Sequence, residues 1–228
     1  MSFEAIENAL ATWALPVLLA ITLHEAAHGW MAWKRGDDTA YRLGRVSFNP
    51  LRHIDPVGTI LVPGLLLLSG TKILFGWAKP VPVAFHRLNR PRLDMVWVAA
   101  AGPGANLALA LASALLFHLV GFLPESAQDV AADNLVNSVQ INVVLAVFNM
   151  LPLPPLDGGR VAVGLLPRDL ALKLAGLERH GLFIILGLMF ILPLVGQTIG
   201  LQVNLFAWLV GVPADWLIRA IVALTGNA

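Results

Sequence analysis

Six apolar stretches dominate the chain, and they differ in length and in what interrupts them. Residues 9–33 run from Ala9 to Trp33 with His24, Glu25 and His28 as the only ionisable side chains. As a helix these 25 residues are long enough to cross a hydrocarbon core of about 30 Å. Residues 95–123 form a second full-length stretch, and 181–201 another with Pro193 inside it. The stretch 139–166 is broken by Pro152, Pro154, Pro155 and Asp157. Val57 to Thr71 is only 15 residues and contains Gly58, Pro63 and Gly64, a pattern that predicts a re-entrant segment. The last stretch, 203–225, carries Asp215 and Arg219 mid-segment and reads either as a span with buried charge or as an interfacial helix. Between Tyr41 and Asn49 polar and apolar residues alternate roughly two by two around Gly44, which predicts a short β-hairpin with a free edge. Residues 76–93, with Pro80, Pro82 and Pro91, read as an irregular surface loop. The expected fold is an all-α polytopic membrane protein with five or six transmembrane or re-entrant helices and a small membrane-associated hairpin.

Composition supports lipid as the solvent. Of the 228 residues 57% are apolar and 13% charged, with a mean hydropathy of +0.75, against about 25% charged residues in soluble domains. So many apolar side chains cannot all be hidden in one core, which excludes a soluble domain, a disordered chain and a nucleic-acid binder. The chain has no cysteine, hence neither disulfides nor a thiolate metal site. Its opening Met-Ser-Phe-Glu has no basic region of the kind a cleavable signal peptide carries.

Net charge is only +1, but its distribution is informative. Ten of the 15 Lys and Arg residues fall in 34–93 and four in 160–179, with none in 1–33 or 94–159. The positive-inside rule then puts 34–93 and 167–179 in the cytoplasm and the N-terminus and 122–138 outside. For this topology 57–71 must enter and leave on the same side.

The chemistry concentrates in two places. His24-Glu25-Ala26-Ala27-His28 lies in the first stretch; positions i and i+4 of a helix share a face, so both imidazoles can reach one metal ion, with Glu25 beside them as a candidate general base. Unpartnered ionisable groups in a spanning helix each cost about 2.5–3.5 kcal/mol or more. A buried polar patch joining helices is the alternative reading. His24 lies about 15 Å and His28 about 9 Å of helix from Lys34, which places the site inside the membrane, nearer the basic, cytoplasmic side. Zinc needs a third protein ligand, with His53, Asp55, His86, His118, His180 and Asp157 as candidates. Asp157 stands out because it follows three prolines and precedes Gly158 and Gly159, and broken backbone at membrane depth survives only when buried in protein or lining a water-filled cavity. It could also cap the helix that starts at Gly158, a role compatible with ligation.

His24-Glu25-x-x-His28 followed by Asn149-x-Leu-Pro and Leu156-Asp157-Gly-Gly resembles the site-2 protease family of intramembrane zinc metalloproteases. Asn49-Pro50 with His53-Ile-Asp55-Pro56, and Ala101-Gly102-Pro103-Gly104-Ala105-Asn106, extend the likeness over roughly residues 15–167 in the family's order. The resemblance implies one Zn2+ per chain, held by His24, His28 and Asp157, Glu25 as base, and cleavage of single-span membrane-protein substrates within the bilayer. The short 122–138 connector leaves no room for the PDZ domain of many members, and nothing after the last stretch matches a nucleotide-sensing module. The chain thus resembles the minimal members, a single membrane-embedded domain over 1–228 with its core in 9–167 and accessory helices in 180–228.

Asn106 could support a developing oxyanion, bind substrate backbone or make a packing hydrogen bond. Asn142 and Asn149, seven apart on one helical face, could bind substrate or each other. His53 and Asp55 could orient the metal ligands or serve as loop polar groups, while His86, His118 and His180 read as interfacial. A free hairpin edge at 41–49 could hold an unwound substrate by strand addition. A transporter would also carry broken helices and intramembrane charges, although no inverted repeat is visible. A relative that binds membrane segments without cutting them is the other rival; Glu25 speaks against it. The absence of cysteine and the compact form suggest a prokaryotic inner membrane.

Overall fold

Helix α1 (Phe3–Lys34) is long enough, about 48 Å at 1.5 Å per residue, to hold a spanning section and the His24–His28 motif on one rod. Pro16 inside it has no N–H for the Thr12 carbonyl. A neighbouring helix supplies the donor: Asn137 Nδ2 bonds Thr12 O at 3.1 Å, and Asn134 Nδ2 bonds Ala11 O at 2.9 Å. The computed structural model describes residues 3–62, 64–65, 76–198, 200 and 204–227.

After α1 come the short α2 (Thr39–Arg42), then α3 (Pro91–Leu116), α4 (Glu125–Asn149), α5 (Asp157–Leu165), α6 (Arg168–Ala175), α7 (Glu178–Leu186), α8 (Leu192–Thr198) and α9 (Val212–Leu224). A π-helical turn, Gly187–Ile191, joins α7 to α8, and another, Ala207–Gly211, leads into α9. Helices α1, α3 and α4 pack on one another, α5 sits against α3, and α9 against α4. The helix contacts are built from small side chains: Ala20, Ala32, Ala99, Ala110, Ala114, Ala146 and Ala214 are buried. Large apolar residues face outward instead, Phe183 at 73% and Trp208 at 77% exposure. That inversion suits a lipid solvent, where close backbone approach rather than hydrophobic burial holds helices together.

Four helical stretches among the described residues are long and apolar enough to cross a membrane: Pro91–Phe122, Glu125–Asn149, Glu178–Thr198 and Ala207–Leu224. The described residues thus do not support the expected five or six transmembrane or re-entrant helices. The interrupted 139–166 stretch resolves into the end of α4, a turn and the short α5. In the last stretch, Asp215 and Arg219 are not buried; they pair with each other at 2.9 Å on the outer surface of α9.

The expected β-hairpin at 41–49 is absent, and no strand occurs among the described residues. Gly44 takes a left-handed φ of +65°, and the Arg45 N–H returns to Ala40 O at 2.9 Å, so this glycine ends a helical turn rather than joining two strands. The segment continues through Asn49, whose Oδ1 accepts from Leu51 N, into a single tight turn at Pro50–Arg52. A two-by-two alternation is compatible with either helix or strand over so few residues, and the backbone hydrogen bonds decide it.

Of the predicted re-entrant segment, residues 63 and 66–71 lie outside the described residues. Its start is a π-helical turn, Pro56–Leu61, capped by Asp55 Oδ1, which accepts from Val57 N and Gly58 N. Trp77 N bonds Gly58 O at 3.0 Å and Thr59 Oγ1 donates to Trp77 O, so the chain is back at Trp77 where it departed at Gly58.

The irregular segment 76–84 is tied to α1 and its C-terminal loop at three points. Lys79 N bonds His53 O, Val81 N bonds Glu25 Oε2, and Ala84 N bonds Asp37 Oδ2. Asp37 is buried, which by itself would raise its pKa. Hydrogen bonds from Thr39 Oγ1 and from the Ala84 and Thr39 N–H groups, with the Arg87 charge, outweigh burial and hold it below its ordinary value. A lowered carboxylate pKa means stability that is present above the ordinary carboxylate range and lost as pH falls through it. Acidification is therefore expected to expose the Thr39 and Ala84 amides to hydrogen exchange. Asp37→Asn should flatten that pH dependence; an unchanged profile would remove Asp37 from the account.

Candidate metal centre

His24 and His28 project from successive turns of α1, with their Nε2 atoms 3.0 Å apart. Asp157, the first residue of α5, brings Oδ2 to 3.2 Å from His24 Nε2 and 3.3 Å from His28 Nε2. All three are buried. The partners of the other ring nitrogens fix the tautomers. His28 Nδ1 lies 2.7 Å from Val98 O, a carbonyl that can only accept, so Nδ1 carries the proton and Nε2 is bare. His24 Nδ1 lies 2.6 Å from Asn106 Oδ1 and likewise donates. The amide orientation follows from Asn106 Nδ2, which donates to Ala20 O at 3.1 Å and to Asn142 Oδ1 at 2.7 Å.

With Nδ1 of each ring directed to an acceptor, Nε2 of each neutral ring offers its lone pair beside Asp157 Oδ2, a buried atom without a hydrogen-bond partner. A metal ion between the three atoms would satisfy them together. The ligand–ligand edge of a tetrahedral zinc with bonds of about 2.0–2.1 Å is about 3.3–3.4 Å, close to the observed 3.0–3.3 Å triangle. The donor set, two neutral imidazoles and a carboxylate, is one that zinc takes in catalytic sites, which leave a fourth position open.

Local sequence explains how Asp157 reaches the histidines. The turn 150–156 folds back over the start of α5, and it does so at Gly158 and Gly159. A Cβ on Gly158 would lie 2.2 Å from Met150 O, and one on Gly159 2.2 Å from Pro154 N. On the far side of this turn, Gly181 of α7 packs so closely that its Cβ would meet Pro154 O. Arg92 of α3 closes the other end of α5 by donating to Gly164 O and Leu166 O. The capping alternative for Asp157 is not realised: Leu156 is the cap residue, without a side-chain bond.

Helix α3 forms one wall of the centre through Gly102, whose missing Cβ would sit 2.4 Å from His28 Nε2 and 2.7 Å from His24 Cε1. Glu25, half-buried, is held by the Val81 N–H on Oε2 at 2.7 Å.

The other candidates divide. Asn106 joins the centre directly. Asn142 joins it through Asn106, and its own Nδ2 donates to Ser138 O at 2.8 Å. Asn149 bonds Leu145 O within its own helix, not Asn142. His53 is buried in the 44–53 loop with Nε2 on Ser47 O at 3.0 Å, and Asp55 caps the following turn; neither bonds His24, His28 or Asp157. His118 Nε2 bonds Thr225 O, linking the end of the α3 span to α9. Val98 O, the Val81 N–H and the Ala20 carbonyl were beyond sequence reasoning, since backbone groups carry no residue signature. Ser113 and Ser138 lie 2.7 Å apart through their hydroxyls; Ser113 is a lone polar residue in an apolar stretch, and Ser138 stands four before Asn142.

No family model matches the chain, and no solved structure matches it. Among curated relatives, YwhC of Bacillus subtilis, whose name carries an inferred zinc metalloprotease activity, is 40% identical over 194 residues, covering 83% of this chain and 84% of YwhC. The Rip2 proteins of Mycolicibacterium smegmatis and Mycobacterium tuberculosis, named in the same way, are 31% identical over 141 residues, 62% of this chain. The matched region spans about half, 52%, of each Rip2 protein.

Proposed function

Because the chain belongs to the zinc metalloprotease family of YwhC and Rip2, which fits the site-2 protease pattern, we propose that it is an intramembrane zinc endopeptidase acting on single-span membrane proteins. The observation that carries this reading is the buried triangle of His24 Nε2, His28 Nε2 and Asp157 Oδ2 beside a tethered Glu25. Zn2+ held by these three atoms would supply Lewis acidity for a scissile carbonyl and make water a usable nucleophile near neutral pH. Glu25 takes the proton of the attacking water and returns it to the leaving amine nitrogen. With Oε2 engaged by the Val81 N–H, Oε1 is the atom left for that proton.

Helix α1, which packs against α3 and α4, serves in this reading as a further span beside the four apolar ones. The adjacency of Gly58 and Trp77 supports a segment that enters and leaves on one face. With the basic residues of 34–93, that face is cytoplasmic in a prokaryotic cell membrane, and the centre lies nearer to it. The chain acts as one membrane-embedded unit, core 9–167 with accessory helices in 180–228. A substrate helix bonds all its carbonyls internally and must unwind locally before attack, which favours substrates with Gly, Pro or Asn near the cut.

Glu25→Gln is expected to keep its zinc and lose cleavage of a single-span substrate by about 10²–10⁴-fold. Zinc content and product formation on the purified pair measure this directly. Equal cleavage by the two proteins would discard the mechanism, and zinc binding without any cleavage by the wild type would favour a binding-only relative.

A further inference from the structure

Asn106 is fully buried, as is Asn142, in the interior of a helix bundle where an unpaired amide is costly. Their hydrogen bonds run in one direction. His24 Nδ1–H donates to Asn106 Oδ1 at 2.6 Å, Asn106 Nδ2 donates to Asn142 Oδ1 at 2.7 Å, and Asn142 Nδ2 donates to Ser138 O at 2.8 Å. The direction is fixed because each amide nitrogen also meets, or ends on, a carbonyl that can only accept: Ala20 O for Asn106 and Ser138 O for Asn142. Asn106 therefore ties three helices together, with α1 reached twice, at Ala20 and His24, and α4 at Asn142. Both of its amide hydrogens and the oxygen facing His24 are engaged, so the side chain has no N–H left to offer a substrate carbonyl or a developing oxyanion.

We infer that Asn106 is a positioning residue for the metal ligand His24, and that Asn142 acts through it. The pair sets which nitrogen of His24 is bare and in which direction it points, and a run of donors leading away from the ring makes Nε2 the stronger ligand. The inference rests on the metal-centre reading above, but not on what the centre cleaves. It also assigns different roles to two asparagines that look alike in the sequence: Asn149, bonded only within its own helix, takes no part in holding His24.

The test uses the full chain in detergent with Zn2+ affinity, measured by chelator competition, as the first readout. Asn106→Leu is expected to lower that affinity about 10–100-fold, to weaken the visible absorption of the Co2+-substituted protein as tetrahedral geometry is lost, and to reduce kcat with KM unchanged. Asn142→Leu should shift affinity in the same direction by less. Asn106→Asp restores an acceptor for His24 Nδ1–H while setting a carboxylate against two oxygens, so it should bind Zn2+ more tightly than Asn106→Leu even where it is less stable to heat. A merely structural role predicts the reverse order. Unchanged Zn2+ affinity in Asn106→Leu with a raised KM would overturn the inference and place Asn106 against the substrate. If the wild type binds Zn2+ and cleaves nothing, the proteolytic reading fails while the order of affinities still decides this one.

Discussion

Replacing Gly102 with alanine is expected to strip the chain of its metal by parting α1 and α3, with each still helical. The added carbon would lie 2.4 Å from His28 Nε2, 2.6 Å from His28 Cε1 and 2.7 Å from His24 Cε1, far inside any contact a side chain makes. One of the two parties has to move. The rings are poorly able to, because His28 is bonded to Val98 O and His24 to Asn106, both on the helix that would carry the new methyl group. The simplest relief is a parting of α1 and α3, which breaks those two hydrogen bonds and opens the ligand triangle. Metal affinity should fall on the order of 100-fold or more, at or beyond the range for losing a single supporting partner, and cleavage with it. Gly104, two residues on, is the control: nothing lies within 4 Å of where its Cβ would be, so Gly104→Ala should retain zinc and gain a little helix stability. Equal zinc in the Gly102 and Gly104 variants would show that the imidazoles yield after all.

Gly159→Ala should be nearly as damaging, by a different route. Its Cβ would meet Pro154 N at 2.2 Å and Leu153 C at 2.5 Å, atoms of the main chain that cannot rotate out of the way. The turn 150–156 and the first turn of α5 would have to separate, carrying Asp157 away from the histidines. A cost of about 3 kcal/mol is expected, the upper end for overpacking, read as a lower thermal midpoint together with loss of bound zinc. Added zinc should recover part of the stability, because a ligand that binds only the folded form stabilises it by mass action. A variant with the wild-type midpoint and full zinc would mean that the turn is looser than its contacts indicate.

The centre was more legible in the sequence than its surroundings were. The spacing of His24 and His28 needs only helical geometry, which puts two imidazoles one turn apart and facing the same way. Asp157 stood out because a carboxylate flanked by prolines and glycines in an apolar stretch must sit beside polar groups or a cation. The all-helical class followed from the long apolar runs. What could not be read was anything decided by tertiary pairing. Gly44 looked like a hairpin turn because alternation over nine residues does not separate strand from helix; its positive φ and the bond from Arg45 to Ala40 settle the matter. Asn106 carried no hint that its oxygen faces His24 rather than a substrate. Gly102 stood in a motif of small residues with no sign that its missing side chain makes room for the pair of ligand rings. The Val81 N–H that holds Glu25 belongs to a residue whose side chain says nothing about the bond.

The replacement of the missing Pro16 donor by Asn137, with Asn134 one turn earlier, has a mechanical consequence. These two clasps grip α1 near its start, and Asn142, reached through Asn106, grips it again near His24. A rod tied to α4 near its start and to α3 near His24 has to break these hydrogen bonds before it can slide along its axis. Any widening around the centre would then fall to parts outside this three-helix frame, the 76–84 segment or the α7–α9 flank, rather than to the ligand pair.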